Sequence, residues 1–364
     1  MDYHGDVFSV CFNIMKIRYA DYDESLRMKN FLVPEDKVNV FISVESILNH
    51  FSKIPDLENK IILERDFETI IVSNLINLIA HYKRFFTSNG LDTRVYLYMT
   101  AIDSLRFSQS KYNDDYRSYY LVKWNENPKF VQLSDLLKKS ILPTVKTYIE
   151  FIPGAYFIDA KDIEGSLVPL IIANSEPERK NMIITADVYD MQYSFIKNFV
   201  THYLYRGWKT SFNASTVSDY LRLILRKDAK DIDDEMKKIF VRYPFFISLI
   251  SVLGNKPRSI DPIAGIKTSS LFKLITDGIA KQTINDDSES PILLSEIFQS
   301  NEERKEEFVH NFCCSSLKIG YDELTKTDIK SILNQRMDRI DINSLVELNR
   351  TVFSKYPLIL EGLL

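Results

Sequence analysis

The chain has 364 residues, and 46 Lys and Arg against 50 Asp and Glu leave a formal net charge of −4, which excludes nucleic-acid binding through a global positive field and leaves only a local basic face. With 45% hydrophobic and 26% charged residues, 10 Gly and 12 Pro, the composition is that of a globular protein without long linkers, sized for one large domain or two smaller ones. No window approaches the roughly 20 uninterrupted apolar residues of a membrane span, and the start MDYHGDVFSVCFNIMKIRYADYDE carries acids where a signal peptide needs cations, so a cytoplasmic location and no membrane partner are expected.

Residues 1–36 contain no clear element, and 6–16 reads equally as strand or helix. The first clear element is VNVFISV, Val38 to Val44, whose β-branched and aromatic run suits a buried strand. Glu45 and a helical ESILNHFSKI follow. From Glu64 to Phe86 the residues Ile70, Ile71, Leu75, Leu78, Ile79 and Tyr82 form the apolar stripe of a helix packed on a sheet, stopped by Asn89-Gly90. RVYLYMTAI, Arg94 to Ile102, is a second strand, ending on Asp103. Strand, helix, strand over this length is a βαβ unit with parallel strands.

The next segment, SLRFSQSKYNDDYRSYYLVKWNENPKF, interleaves Arg106, Lys111, Arg117 and Lys123 with aromatic residues. Single-stranded nucleic acid is bound by such surfaces, because phosphates need charge and bases need flat partners. A helix with Ser134 as N-cap and a kink at Pro143 runs to Glu150.

Gly154 to Gln192 reads as a strand (Ala155 to Asp159), an acidic lead-in (Asp162, Glu164), a short apolar helix and a fourth strand, Met182 to Ala186, ending on Asp187. Pro169 is tolerated in the first turn of that helix if Ser166 caps it. Asp162 and Glu164 then lie in extended chain, where residues two apart share a side. In open α/β sheets the side chains at the carboxyl ends of the strands converge on one crevice, so acids at several such ends point to a metal site. Any one of them alone reads as a helix cap or a solvated loop residue.

Residues 193–211 read as either helix or strand. Val217 to Leu225 and Asp233 to Leu253 read as helices. The segment from Gly254 to Gly278 holds a tight turn at Ala264-Gly265-Ile266 and a helix opening near Thr268. Helix, glycine turn, helix aims unpaired backbone N–H groups at an anion such as phosphate. Pro291 to Leu364 reads as amphipathic helices with solvated charged faces. Cys11, Cys313 and Cys314 have neither zinc-ligand nor redox spacing and read as buried thiols, and the five histidines are scattered.

These pieces, in this order, resemble the 5′-nuclease superfamily of flap endonucleases and phage 5′ to 3′ exonucleases. In that family the second strand ends in F-D-G and leads into a basic arch; here the counterpart is Ile102-Asp103-Ser104, with the arch echoed from Arg106 through Arg117. E-A-D-D is matched by Asp162-Ile163-Glu164-Gly165. T-G-D-K-D with a following Gln is matched by Thr185-Ala186-Asp187-Val188-Tyr189 and Gln192. The helix-three-turn-helix motif is echoed by Gly254-Asn255 and Gly265-Ile266-Lys267.

The resemblance implies an α/β fold, a mostly parallel twisted sheet flanked by helices (PIN-like), followed by a helical helix-three-turn-helix region. It implies a nuclease-type domain over 1–215, with the arch near 104–130, and a helical domain over 216–364, with the turn motif near 240–278. Such enzymes use two metal ions to activate water and stabilise the scissile phosphate. The implied catalytic and metal-ligating residues are Asp103, Asp162, Glu164 and Asp187. Nucleic acid would meet Arg106, Lys111, Arg117, Lys123, Gly265, Ile266, Lys267 and Thr268.

Departures from the family pattern qualify the implied activity. The first-strand acid is replaced by Ser43, the last acid of the lead-in by Gly165 and the second acid of the fourth strand by Tyr189, with Asp190 one place out of register and facing the other way. The acid positions of the turn motif hold Asn255 and Arg258, and Glu45 and Asp261 stand at neighbouring positions from which they would compensate. One position for Mg2+ or Mn2+ survives in this reading and the second is lost. Three functions stay open: a nucleic-acid-binding protein with a degenerate site and weak or no cleavage; an active metal-dependent 5′ nuclease on branched or single-stranded DNA, with RNA as a further substrate class; and a scaffold that keeps only the fold. The Lys, Asn, Ile and Tyr content fits an AT-rich, viral source, which would place the protein in the host-cell cytoplasm.

Overall fold

The computed structural model describes residues 32–44, 79, 82–99, 154–159, 167–185, 187–205, 208–212, 243–254, 260–263, 266, 301–317 and 326–335. Six strands form one sheet: β1 (Lys37–Ser43), β2 (Asp92–Met99), β3 (Ala155–Asp159), β4 (Lys180–Thr185), β5 (Phe199–Tyr205) and β6 (Trp208–Phe212). Their order is β3-β2-β1-β4-β5-β6. The first five are parallel, and β6 returns antiparallel to β5. The expected mostly parallel α/β sheet is therefore present, and β2 and β4, on either side of β1, each begin two residues before their apolar runs.

Parallel strands covered on both faces carry near-continuous apolar sequence, and β1 is an example, buried from Val38 through Ser43. Side chains alternate between the faces. On one face the in-register pairs form rows: Asn39 beside Arg94 and Asn181, then Phe41 beside Tyr96 and Ile183, then Ser43 beside Tyr98. Phe41, Tyr96 and Tyr156 stack across β1, β2 and β3 with centroids 5.1 and 5.0 Å apart. Over this face lies α1 (Val168–Ser175), whose Leu167, Val168, Ile171 and Ile172 join the same core as Phe41, Tyr96, Tyr98 and Ile183.

Pro169 does sit in the first turn of α1. The cap position is Leu167, which makes no side-chain cap bond; Ser166 lies outside the described residues. Burial of Leu167 and Val168 in the core holds the helix start where no capping side chain does. Residues 82–88 are helical and stop at Asn89-Gly90 as expected: Gly90 has φ +79°, and the Asn89 and Gly90 amides close the last turn onto Phe86 O and Thr87 O.

The ambiguous 193–211 region resolves into three pieces. A 3-10 helix, Val188–Phe195, is followed by the β5–β6 hairpin. The reversal between them is made by Asn198 at φ +66°, a residue type that tolerates the left-handed region.

Among the described residues the further helices are α2 (Tyr243–Leu253), α3 (Glu302–Ser315) and α4 (Lys326–Asn334). The α2 helix packs on α3 and on the 3-10 helix, with Phe195 and Phe246 centroids 5.1 Å apart. Ile332 of α4 completes the core over α1, with Ile329 and Leu333 packed against it. The helices read near 45–54, 134–150, 217–225 and Thr268 lie outside the described residues, as do Cys11 and the side chains of Cys313 and Cys314.

A candidate site at the carboxyl ends of the central strands

The strand order reverses between β1 and β4, because β1 to β3 step one way and β4 to β5 the other. The crevice beyond the carboxyl ends at such a point is where open α/β sheets bind ligands. Here it begins at Ser43 on β1, 4% exposed, and at Thr185 on β4, fully buried.

Two residues beyond Thr185 the chain is still extended, with Asp187 at φ −105° and ψ 125° as N-cap of the 3-10 helix. Its Oδ1 accepts the Tyr189 amide at 2.9 Å, and its own amide donates to Thr185 Oγ1 at 2.9 Å. That hydroxyl donates in turn to Asp190 Oδ2 at 2.6 Å, the short distance of a bond to a carboxylate.

This bond places Asp190 against the end of β4. A 3-10 helix has three residues per turn, so positions three apart eclipse and Asp190 comes back to the strand end above which Asp187 begins the turn. Asp190 is 1% exposed. The Asp-x-x-Asp spacing after a Thr was the signal for a tight turn.

Tyr189 is fully buried in the core with Tyr193, Ile171 and Phe199. Gln192, also fully buried, donates through Nε2 to Tyr189 O at 2.9 Å and to Ser315 O at 2.8 Å, and accepts the Leu317 amide on Oε1 at 3.0 Å. The strand-end turn is therefore held from below by Thr185 and from the side by the end of α3.

Of the residues expected to serve catalysis or a metal, Asp187 lies two residues beyond the end of β4. Asp103, Asp162 and Glu164 lie outside the described residues. Among the described residues no group of three His, Cys, Asp or Glu side chains comes together. The described side chains do not by themselves make a divalent-metal site, which needs several oxygen ligands. Arg106, Lys111, Arg117, Lys123, Gly265, Lys267 and Thr268 also lie outside the described residues, with Glu45, Asn255, Arg258 and Gly165. Ile266 is half-buried, and its amide turns back to Ile263 O at 3.3 Å.

Gly254, directly after α2, has φ +71°, and a Cβ there would lie 2.5 Å from Pro262 N and 2.6 Å from Ile260 O. The chain from Ile260 to Ile263 crosses that closely over the helix end, where the Ile263 amide donates to Val252 O at 3.0 Å. Only glycine fits both the angle and the crossing. Asp261 is exposed, and its carbonyl accepts from Asn311 Nδ2 at 3.0 Å.

A second polar cluster, not foreseen, occupies the opposite end of the sheet. Arg179, 2% exposed, donates to Asn39 Oδ1 at 2.6 Å, Asp92 Oδ2 at 2.9 Å, Val38 O at 3.0 Å and Asp92 O at 2.7 Å. Asn39 donates to Glu176 Oε2 at 3.1 Å, and Arg94 pairs with Glu176 at 2.5 Å. The hydrogen bond from Arg179 holds the Asp92 carboxyl below its ordinary range, against partial burial. Lys83, which donates to Thr93 O, is lowered by burial. A lone Asn inside an apolar strand and an Arg just before another were the available signals.

No protein-family model matches the chain, and no curated protein sequence matches it. Solved structures do. The bacteriophage T5 D15 protein, co-crystallised with metal ions, superposes with a TM-score of 0.50 at 12% identity, over 82% of this chain and 100% of that one. The T5 D15 flap endonuclease in a complex with DNA and metal ions gives 0.49 at 10% identity, over 88% of this chain and 99% of that one. The T5 5′-exonuclease with zinc bound gives 0.49 at 9% identity with the same coverage. The chain shares the fold of the first of these structures, an α/β PIN-like sheet flanked by helices. Among the described residues no helix is long and apolar enough to cross a membrane.

Proposed function

We propose that this chain is a flap-endonuclease-like nucleic-acid-binding protein whose two-metal site is degenerate and whose cleavage is weak or absent. The observation that carries the reading is Tyr189. It stands where the family's fourth strand supplies its second acid, and it is fully buried in the core rather than turned to the crevice. A metal position there would require that core to be rebuilt. Ser43 at the end of β1 supplies a hydroxyl in place of the family's acid, and Asp187 already accepts a backbone amide as a cap.

In this reading one Mg2+ or Mn2+ ion is held by Asp187 with Asp103, Asp162 and Glu164. Branched or single-stranded DNA is bound through the cationic segment from Arg106 to Lys123 and through Gly265 to Thr268. The nuclease-type unit spans 1–215 and the helical unit 216–364.

A second reading, an active metal-dependent 5′ nuclease with a rearranged site, is favoured by one observation: Asp190 adds a buried carboxylate at the end of β4. Incubation with 5′-flap and single-stranded DNA in magnesium or manganese separates the two. The proposed outcome is salt-dependent binding with little or no product, since neutralised phosphates release counterions. Robust cleavage that disappears in Asp103→Ala and Asp187→Ala would establish the second reading instead. Absence of binding at 50 mM salt (on the order of the low end used for such contacts) would leave the protein a scaffold.

A further inference from the structure

The end of α3 bonds both to the strand-end turn that begins at Asp187 and to the chain that leads toward the proposed glycine turn. Near its carboxyl end Gln192 joins Tyr189 O of the strand-end turn to Ser315 O, and receives the Leu317 amide. One helical turn earlier, Asn311, 6% exposed, directs Nδ2 to Ser251 O at 2.9 Å and to Asp261 O at 3.0 Å. Ser251 lies in the last turn of α2, where carbonyls lack partners within the helix. Asp261 belongs to the chain that crosses over Gly254.

The chemistry requires carboxamides. Each nitrogen reaches two carbonyls, which a hydroxyl cannot do with its single proton and a carboxylate cannot do at all. Each is buried, so loss of the amide strands carbonyls away from water. Both side chains tie α3 to chain far away in sequence, and neither is needed for α3 to be helical.

We propose that Asn311 and Gln192 are positioning residues that make α3 a common strut for the strand-end turn and the glycine-turn segment, so that a DNA strand seated at one meets the other at a set spacing. This rests on the proposed nucleic-acid binding. Neither residue touches the DNA; each acts through the backbone it holds.

The test uses the full chain, a 5′-flap DNA probe and amide hydrogen exchange, with Asn311→Leu, Gln192→Leu and, as a control at the far end of the sheet, Asp92→Asn. Each strut variant is expected to speed exchange about tenfold both at Ile263 and Ile266 and at Tyr189 and Asp190, a loss the size of one buried hydrogen bond. Exchange that rises only in the segment a variant touches would overturn the strut. Flap affinity is expected to fall roughly 5- to 20-fold in both strut variants and to stay at the wild-type value in Asp92→Asn. Equal affinity in all four proteins, or an equal loss in Asp92→Asn, would overturn the positioning role. If the wild-type chain binds no flap DNA, the proposed function fails, and the exchange pattern alone decides the strut. Should Asn311→Leu not fold, Asn311→Ser keeps one donation and is expected to show the same two-segment pattern at smaller size.

Discussion

At the amino ends of β1, β2 and β4 the polar side chains bond chiefly to one another; at the carboxyl ends of β1 and β4 they bond to the turn that follows. Arg179, Asn39, Glu176, Asp92 and Arg94 form a largely closed set around a guanidinium that is 2% exposed. Thr185, Asp187 and Asp190 instead shape eight residues of 3-10 helix over the strand-order reversal. The first arrangement locks strands together and offers little for a ligand to compete with. The second supports a loop at the mouth of the crevice, where a change of residue alters what the mouth presents more than whether the sheet forms.

If that division is right, the largest effect on stability comes from the amino end. Arg179→Met removes four hydrogen bonds and is expected to cost about 3–5 kcal/mol, the range for breaking a buried ionic group. Urea unfolding measures it, and flap-DNA affinity well below the midpoint should not move. A drop in affinity would break the comparison. Asp190→Ala comes next, at about 1–3 kcal/mol, because it leaves the buried Thr185 hydroxyl without its acceptor. Asp187→Ala loses one cap bond and is expected to cost only ~1 kcal/mol. Its larger consequence should appear in manganese affinity, followed by calorimetry, and a stability loss above that of Arg179→Met would reverse the assignment of roles.

The smallest effect is on pH dependence. The Arg179 hydrogen bond depresses the folded-state pKa of Asp92, against partial burial. The stabilisation is therefore fully present above the unfolded value, about 3.9, and is lost as pH falls through the folded one. Asp92 is 59% exposed, so solvent screens most of it. Urea midpoints between neutral pH and pH 3 should fall less steeply in Asp92→Asn than in the wild type; parallel slopes would show that the pair contributes nothing.

Much of the sheet was legible because the β1, β2, β3 and β4 runs are apolar on both faces, which only covered parallel strands require. The carboxyl ends were legible as places, through the acid Asp187 that closes the fourth strand run. What escaped was geometry that has no period. The sense of Asp190 depended on a switch from two to three residues per turn within a few positions, and α1 began at a core residue, Leu167, instead of a polar cap. The Arg179 cluster escaped because its members, Asn39, Asp92 and Glu176, are distant in sequence and meet only once the strands are paired.

The stacked rings of Phe41, Tyr96 and Tyr156 bear on how the chain folds. β3 and β2 pair although residues 100–154 separate them in sequence, a long-range closure that is slow to find. A slip of one residue in either pairing would turn one ring to the opposite face and lose a stack. The ladder therefore favours the in-register pairing of β3 over pairings slipped by one residue. Tyr156→Ala should slow refolding of the sheet more than it speeds unfolding, if the ladder forms in the transition state.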